Sequence, residues 1–560
     1  MEDNEGKKNT EYPFKWGNIY PINKVNYSFD LLFFHYSNSI SSCIINLNLK
    51  LYCMKLQLTN AISLSIVLLA FCFTGFSQTD SAAATKPEKF VTKHSIKLDN
   101  KQISYTATVG TIILRNEKEE PIAAFGYTAY TKDDETDFTK RPVTFSYNGG
   151  PGSSSMWLHM GVMGPRRVVV NDPSPNGPAP YKIEDNNYSI LDVSDIVMMD
   201  PIGTGISKAV GKGKNSDFWG VDQDIKSVSL FIKNYVNDND RWNSPKYLLG
   251  ESYGTFRSAG VADYLQERHG ISVNGIVLVS NVLDIRTLSF NPGDDLPFIV
   301  NFPTYAATSW YHNKVTNKPA SLDAFLKEVR IFSKGEYANA LMKGDELGSD
   351  ERDKVLTKLV AYTGLSKDYW DKANLRVVQP QYAQELLRST GVAVGRLDSR
   401  YKGITQDQHA EFANNDPQSS DISPAFISAF MYYYTTELKV SKDKNYNTSA
   451  YSLTDFKWDW KHQRSNGLFG DASTPSTAPD LLNAMSANPK MKVLVLNGIY
   501  DLATPFGGTE YTFDHMGLDK KIKGNITQKY YEAGHMMYIH NESAIKFKKD
   551  VAEFITGNLK

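Results

Sequence analysis

Short alternating runs of apolar and polar residues follow the first 90 positions of the chain. Between His94 and Tyr130 these runs are interrupted by Asp99-Asn100 and Gly110, which favour turns. Period-two alternation bounded by turn residues is typical of antiparallel strands. We therefore expect an N-terminal antiparallel β extension in this part of the chain.

From Arg141 onward, short apolar runs alternate with helical periodicity. Continuous apolar runs indicate strands that are buried on both faces, and their alternation with helices favours a mostly parallel central sheet. The pattern predicts an α/β core over residues 90-290 and 490-558. The predicted strands are Val143–Tyr147, Asp195–Met199, Tyr247–Leu249, Gly275–Val279 and Lys492–Leu496, and the predicted helices are Asp222–Tyr235 and Thr255–Arg268.

Helical periodicity and many aromatic residues replace the strand signal over residues 291-470. We interpret this region as a mainly helical cap inserted into the core, because strand-like sequence resumes at Met491. An independent helical domain is the alternative, which that resumption disfavours. The four stretches with the clearest periodicity are Ala324–Phe332, Asp353–Tyr362, Gln381–Arg388 and Pro424–Leu438.

An apolar run from Ile62 to Phe76 follows Met54-Lys55 and ends before a polar stretch. A basic start, a short apolar run and a small residue at its end are typical of a secretory signal peptide. The run is shorter than the ~20 residues of a membrane span. We predict a signal peptide over residues 54-77, with cleavage after Ser77. The protein is then expected to be secreted or periplasmic, without stable membrane association.

Residues 1-53 are rich in Asn and aromatic residues and show no clear periodicity. Two interpretations remain: a real extension, or upstream sequence that is translated although Met54 is the true start. We favour the second, in which residues 1-53 are a non-native or disordered extension. Leu69-Ala70-Phe71-Cys72 resembles a lipoprotein box, but the bulky Phe71 before the cysteine disfavours lipidation.

Charge and cysteine content exclude several classes of function. The chain has 61 Lys+Arg and 62 Asp+Glu, a formal charge of −1, which favours neither a nucleic acid nor an anionic membrane as partner. All three cysteines, Cys43, Cys53 and Cys72, precede the predicted fold. A disulfide framework, a thiolate zinc site and a cysteine nucleophile are thus excluded from it. We expect no metal and no other cofactor.

Two glycine-rich loops, each after a predicted strand, carry candidate chemistry. Gly250-Glu251-Ser252-Tyr253-Gly254 has the G-x-S-x-G pattern of a nucleophile elbow, whose sharp turn exposes the serine hydroxyl. Alone this pentapeptide is a weak signal. Asn148-Gly149-Gly150-Pro151-Gly152 can present backbone N–H groups to an oxyanion, together with the N–H of Tyr253. The two loops together predict a nucleophile beside an oxyanion hole.

Candidates for the remaining catalytic groups lie near the C-terminus. Asp501 comes just after a predicted strand, and His535 lies in a loop that contains glycine after another. The order Ser, Asp, His along the chain is that of α/β-hydrolase triads. His515 and His540 fit the role of base less well, because one lies in a predicted helix and the other at a predicted helix start. We predict Ser252, Asp501 and His535 as the triad.

Together these motifs resemble the serine carboxypeptidases of peptidase family S10, and in particular their bacterial members. The resemblance spans nearly all of residues 90 to 555. It rests on NGGPGSSS (148–155) with Gly164-Pro165, MDPIGTGIS (199–207), GESYG (250–254), GIYD (498–501) and AGHM (533–536). The bacterial likeness rests on SYTA (104–107) and GRLDSRY (395–401).

The resemblance implies an α/β-hydrolase fold and a serine-type carboxypeptidase that hydrolyses the C-terminal peptide bond of peptides with a free C-terminus. It implies an acyl-enzyme on Ser252, with His535 as general base and acid and Asp501 as its orienter. It assigns the oxyanion hole to Gly150 and Tyr253. It assigns binding of the substrate's terminal carboxylate to Asn148, Gly149 and Glu251, and the pocket of the leaving residue to Met536.

Glu251 would face the terminal carboxylate of a substrate. Two carboxyl groups within hydrogen-bond distance share one proton, so we hypothesise that protonated Glu251 binds the peptide and that hydrolysis favours acidic pH. The chain departs from better-known family members at Val162, where they carry a second Glu, and at Ser146, where they carry Trp. These departures weaken the expected carboxylate clamp.

Two other functions are compatible with the motifs. An esterase or acyltransferase of the same family would use the same acyl-enzyme, and an inactive relative would act as a binding protein. Asn148 and Glu251, which suit a free carboxylate, favour the peptidase over the first. All predicted triad and oxyanion positions are present, which disfavours the second.

Overall fold

A computed structural model describes residues 85–462 and 475–559 of the chain. The predicted signal peptide and the segment before it lie outside the described residues. Within these two ranges, no helix combines the length and the apolar character needed to cross a membrane.

The described strands, numbered in chain order, have the following bounds: β1 Lys89–Leu98, β2 Lys101–Arg115, β3 Pro121–Lys132, β4 Val143–Tyr147, β5 Arg166–Val169, β6 Lys182–Asp185, β7 Asp195–Asp200, β8 Lys208–Ala209, β9 Lys246–Glu251, β10 Gly275–Val279, β11 Val392–Val394, β12 Lys402–Ile404, β13 Lys492–Gly498 and β14 Ile526–Tyr531.

The described α-helices are α1 Met156–Leu158, α2 Val221–Asp238, α3 Tyr253–His269, α4 Leu296–Tyr311, α5 Leu322–Phe332, α6 Ala338–Lys343, α7 Ser349–Thr363, α8 Lys367–Lys372, α9 Gln379–Glu385, α10 Pro417–Thr436, α11 Ala478–Ala487, α12 Phe506–His515, α13 Lys520–Lys523 and α14 Asn541–Gly557.

One large mixed sheet organises these elements, in the order β1-β2-β3-β7-β4-β9-β10-β13-β14, with β8 paired to β3. The strands from β7 to β14 pair in parallel, and β1, β2 and β3 pair antiparallel at one end. The predicted antiparallel extension and parallel core are both confirmed. Parallel pairing brings the carboxyl ends of β4, β9, β13 and β14 to the same edge, which is the edge that holds functional groups in open α/β sheets.

Both faces of the sheet are covered. Along β10, Ile276 and Leu278 join an apolar cluster with α2, α3 and α11, whereas Val277 and Val279 join a cluster with α10 and α14. Successive side chains of a strand point to opposite faces, so this division requires apolar residues at every position. That requirement explains the continuous apolar run in the sequence.

Helices α4 to α10 lie in the region predicted as a helical cap. The apolar cluster of α4 to α9 extends into the loop after β13 through Ile499, Tyr500 and Leu502. The cap therefore packs directly against the residues on both sides of Asp501.

Helix α10 begins earlier than the sequence predicts. The prediction started the helix at Pro424, but the Asp416 side chain caps the helix by accepting from the Ser419 N–H at 2.8 Å. Pro424 lies inside the helix. The Asp416 N-cap comes immediately before Pro417, a residue that suits the first helical position, and together they outweigh the loss of one backbone donor at Pro424.

Candidate active site

Ser252 forms a tight turn between β9 and α3. β9 ends at Glu251 and α3 begins at Tyr253, and Ser252 between them has φ +59° and ψ −130°. Its N–H donates to the Val279 carbonyl at 2.9 Å, which ties the turn to the neighbouring strand β10. A serine at positive φ is costly and persists where the surrounding structure fixes it. The turn leaves Ser252 partly exposed at the sheet edge.

Glycines allow the two loops to approach each other. A Cβ at Gly250 would overlap the Gly254 carbonyl, and one at Gly149 would overlap the Tyr253 backbone nitrogen. At Gly254 a Cβ would lie 2.9 Å from the Tyr147 carbonyl oxygen. Larger residues cannot fit at these positions without backbone movement. The loop after β4 therefore lies directly against the Ser252 turn.

Two backbone N–H groups lie at this junction. Tyr253 is the first residue of α3, where an N–H has no acceptor within the helix. Gly150 is exposed and has φ +104°. No described residue accepts a hydrogen bond from either N–H group. Both are suited to an oxyanion.

His535 and Asp501 are hydrogen-bonded, with 2.8 Å between Nδ1 and Oδ2. They meet because Asp501 follows β13 and His535 follows β14, two paired parallel strands. Oδ1 of Asp501 also accepts from the N–H groups of Ala503 at 2.8 Å and Thr504 at 2.9 Å, and Oδ2 accepts from the Thr504 hydroxyl at 2.7 Å. An ionised carboxylate only accepts, so His535 carries its proton on Nδ1 and presents Nε2 as the acceptor.

The pair is electrostatically matched. Burial acts to raise the pKa of Asp501, but the charge of His535 and the hydrogen bonds from His535 and Thr504 hold it below its ordinary value. Burial acts to lower the pKa of His535, but the Asp501 carboxylate and Glu251 raise it above its ordinary value. Asp501 therefore stabilises an imidazolium on His535.

Ser280 connects the Ser252 turn with the His535 loop. Its N–H donates to the Leu496 carbonyl at 2.8 Å, and its hydroxyl donates to the His535 carbonyl at 2.6 Å. The Ser252 hydroxyl makes no hydrogen bond with His535 or any other described residue. Catalytic hydrogen bonds are often long before a substrate binds. The structure brings Asp501 and His535 together and puts Ser252 at the same edge, and a direct contact between Ser252 and His535 stays a prediction.

Asn148 and Glu251 form a buried polar pair beside the turn. Asn148 Nδ2 donates to Glu251 Oε1 at 3.0 Å, and Asn148 Oδ1 accepts from the Leu158 N–H at 2.9 Å. Arg257 donates to the Asn148 carbonyl at 2.7 Å and forms an ion pair with Asp224 at 2.6 Å. These contacts fix Asn148 and leave one oxygen of Glu251 for another partner.

The Glu251 carboxyl favours its protonated form. Burial raises its pKa to about 7, and Asp501 adds to the rise, whereas His535, the Tyr538 hydroxyl and Asn148 act against it. Oε2 of Glu251 has no hydrogen-bond partner among the described residues, and neither has the Tyr538 hydroxyl. Glu251 and Tyr538 therefore affect each other's pKa although their arrangement does not meet the geometric criteria of a hydrogen bond.

A segment of the cap supports the His535 loop. This contact was not predicted from the sequence. The His535 N–H donates to the Leu397 carbonyl at 2.7 Å, and the Gly534 N–H donates to Asp398 at 2.9 Å. Asp398 is held by Arg400, which also pairs with Asp172 at 2.9 Å. The sequence offered one signal, the motif over residues 395–401, but no indication that it contacts the loop. Thr504 and Ser280 had no signal of their own.

The remaining residues that the sequence analysis considered are buried in the apolar core or make local hydrogen bonds. Met536 is buried in the same apolar cluster as Tyr538, next to His535, and its pocket role stays a prediction. Val162 is fully buried in that cluster too. His515 is exposed and bonds to the Tyr511 carbonyl at 2.7 Å, and His540 bonds to the Ser543 hydroxyl at 2.9 Å. In the part of the chain that the structure describes, no group of His, Cys, Asp and Glu side chains could hold a metal ion.

The sheet order and the strand–turn–helix at Ser252 define an α/β-hydrolase fold. A sequence model of the family described as serine carboxypeptidase matches residues 116–274. This match agrees with the resemblance to the serine carboxypeptidases that the motifs imply.

Two fungal carboxypeptidases are similar to parts of the chain. The chain is 26% identical over 211 residues to a pheromone-processing carboxypeptidase, KEX1, of Yarrowia lipolytica, a match that covers 37% of the chain and 31% of the relative. It is 29% identical over 150 residues to a carboxypeptidase Y homolog of Arthroderma benhamiae, covering 26% of the chain and 27% of the relative. The chain thus aligns with less than a third of each relative, and its bacterial likeness stays a prediction.

A crystal structure of Kex1(Δ)p, a prohormone-processing carboxypeptidase from Saccharomyces cerevisiae, is 16% identical. The match covers 81% of the chain and 91% of that protein, with a TM-score of 0.49.

Proposed function

We propose that this protein is a serine-type carboxypeptidase that hydrolyses the C-terminal peptide bond of peptides. The observation that carries the proposal is the buried Asn148–Glu251 pair beside Ser252, in which burial raises the pKa of Glu251 to about 7 and so favours its protonated form below neutral pH. A group of this kind suits a carboxylate ligand, and the adjacent His535–Asp501 pair suits acyl transfer.

In the proposed mechanism, Ser252 Oγ attacks the carbonyl carbon of the last peptide bond and gives its proton to His535 Nε2. Asp501 stabilises the resulting imidazolium. The oxyanion accepts hydrogen bonds from the N–H groups of Gly150 and Tyr253. His535 then gives the proton to the leaving nitrogen, the C–N bond breaks, and the terminal amino acid departs.

The acyl-enzyme on Ser252 is then hydrolysed by the same groups. Water attacks the ester carbonyl while His535 takes a proton from it, and the oxyanion returns to the same two N–H groups. Collapse breaks the bond to Ser252 Oγ, which regains its proton from His535. The products are the shortened peptide and the free amino acid.

Substrate selection is proposed to rest on the terminal carboxylate. Asn148, the Gly149 N–H and protonated Glu251 would bind it, and Met536 would line the pocket of the leaving residue. Above the pKa of Glu251, two carboxylates would repel each other in a buried site. Peptide hydrolysis is therefore expected to favour acidic pH.

The proposal also includes a place of action outside the cytoplasm, as a secreted or periplasmic enzyme. The support is the basic start, apolar run and small residue over residues 54-77 of the sequence. N-terminal sequencing of the protein exported by its native host would test it, with a mature terminus near residue 78 as the expected result.

The activity is tested by incubating the full chain with a mixed peptide pool and reading C-terminal trimming by mass. Loss of residues from free C-termini, but not from amidated ones, is expected. Ser252→Ala should lower kcat by ~10⁴–10⁶ and abolish labelling by a fluorophosphonate probe. Cleavage of simple esters with no trimming would favour an esterase or acyltransferase, and a wild-type chain that does not label would be an inactive binding protein.

A further inference from the structure

Oε2 of Glu251 and the hydroxyl of Tyr538 are among the buried polar atoms that have no hydrogen-bond partner among the described residues. Both side chains are buried, with relative exposures of 3% and 0%. Buried polar groups in native proteins are nearly always hydrogen-bonded, and a specific exception requires an explanation. A ligand that accepts a hydrogen bond beside Glu251 would provide one.

The position of the Tyr538 ring is fixed by packing. The ring lies against Gly161, where a Cβ would overlap it, and within the apolar cluster that also holds Phe547. Neighbouring Val162 is buried and apolar and offers no polar atom. The hydroxyl is thus held at the end of a rigid ring, near Glu251 and Asn148, both of which affect its ionisation.

The hydroxyl is a donor that does not depend on pH in the working range. Burial, with Glu251 next in effect, holds the pKa of Tyr538 well above its ordinary value. A carboxyl group donates only while it is protonated, whereas this phenol keeps its proton throughout. The site therefore combines one titratable donor with one permanent donor.

We propose that Tyr538 is a specificity-determining residue that donates a hydrogen bond from its hydroxyl to the terminal carboxylate of the substrate. This inference rests on the proposed carboxypeptidase function. Protonated Glu251 and Tyr538 would donate to that carboxylate from two sides, with Asn148 fixing Glu251. A C-terminal amide or ester has no anionic oxygen and would gain less from the hydroxyl.

The test measures binding in the Ser252→Ala background at pH 5, where Glu251 is protonated. Calorimetry gives Kd for a blocked dipeptide acid and for its C-terminal amide, with and without Tyr538→Phe. We expect Tyr538→Phe to raise Kd of the acid on the order of tenfold or more, the loss of one hydrogen bond to a charged group, and to leave the amide unchanged.

Tyr531→Phe is the matched control, because its hydroxyl is also buried but bonds to Asp550 at 2.7 Å. It should leave both Kd values unchanged. Equal losses for acid and amide in Tyr538→Phe would mean that the residue only shapes the pocket, and would overturn the inference. Unchanged Kd values would overturn it as well.

Gly161→Ala provides a second variant should Tyr538→Phe fail to fold. The added methyl group would displace the Tyr538 ring while keeping the hydroxyl, so affinity for the acid should again fall more than affinity for the amide. Wild-type trimming activity separates the two proposals. If the wild type trims peptides but Tyr538→Phe has no selective effect, the inference fails and the proposed function stands.

Discussion

Asp501 and Glu251 are both buried carboxyl groups at the same edge of the sheet, yet their surroundings move their pKa values in opposite directions. Asp501 accepts from two backbone N–H groups, one hydroxyl and His535. Glu251 has one donor, Asn148, and one oxygen without a partner. Burial is the largest single influence on the pKa of both groups. At Asp501 the charge of His535 and the hydrogen bonds together outweigh burial, and at Glu251 the fewer donors do not.

The comparison separates two tasks. A carboxylate that orients a base must be ionised and immobile, which four donors ensure. A carboxyl group that binds an anion must keep its proton and one oxygen free of other partners, which a site with few hydrogen-bond donors ensures. Replacing Asp501 or Glu251 by the corresponding amide should therefore have different consequences.

The largest effect is expected from Asp501→Asn. The amide cannot stabilise the imidazolium and presents an NH₂ group to donors, so kcat should fall by ~10³–10⁴ with little change in KM. Steady-state kinetics on a peptide acid measure this. Asp550→Asn is the control, because Asp550 is a nearly buried carboxyl that bonds to Tyr531 outside the site. A loss in Asp501→Asn no larger than in the control would contradict the role of orienter.

A smaller effect, in pH dependence, is expected from Glu251→Gln. With a pKa of about 7, roughly one tenth of Glu251 is protonated at pH 8, so the wild-type preference for a peptide acid over its amide should fall about tenfold between pH 5 and pH 8. The variant should have no such trend. The ratio of kcat/KM for the two substrates measures this, because ionisation of His535 affects both alike.

Stability gives an independent measure of the same group. The raised pKa means that the folded protein holds the Glu251 proton more tightly than the unfolded chain, whose carboxyl has a pKa near 4.5. This contribution is complete below pH 4.5 and is lost as the pH rises through about 7. Glu251→Gln should thus gain unfolding free energy relative to wild type between pH 5 and pH 8, up to about 3 kcal/mol.

Asp263→Asn is the control for both measurements. Burial raises the pKa of Asp263 to about 7 as well, but the group lies on α3 near Asp480 and Glu267. Its substitution should alter the pH dependence of stability and leave the substrate preference unchanged. A substrate preference in Glu251→Gln that still varied with pH as in wild type would assign it to another group.

The smallest effect is expected from Asp398→Asn, which weakens the support of the His535 loop. Loss of the charge that faces Arg400 and the Gly534 N–H should shift the imidazole and lower kcat about threefold to tenfold, with KM unchanged. Asp172→Asn is the control, since Asp172 also pairs with Arg400 but does not contact the loop. Equal losses in both variants would indicate general destabilisation.

The sheet and the loops that carry the candidate catalytic residues were predictable because the sequence patterns that indicate them are local. Continuous apolar runs in β9, β10 and β13 follow from burial on both faces of the sheet, and glycines mark the turns where two backbone segments approach closely. Helix boundaries were less certain, as at α10, where the Asp416 cap lies outside the apolar period that defined the prediction. A cap depends on one side chain and adds little to a periodic pattern.

The amino-acid sequence by itself determined which loops, each after a strand, carry Ser252, Asp501 and His535. Through its motifs it also indicated that the amide of Asn148 and the carboxyl group of Glu251 lie near the serine. Only the tertiary structure decided how each polar group is satisfied, from Asp398 on the Gly534 N–H to the unpartnered Tyr538 hydroxyl. The reason is physical. These contacts join residues that can be more than 100 positions apart, as Asp398 and Gly534 are, and their energies depend on burial and orientation, which no local pattern encodes.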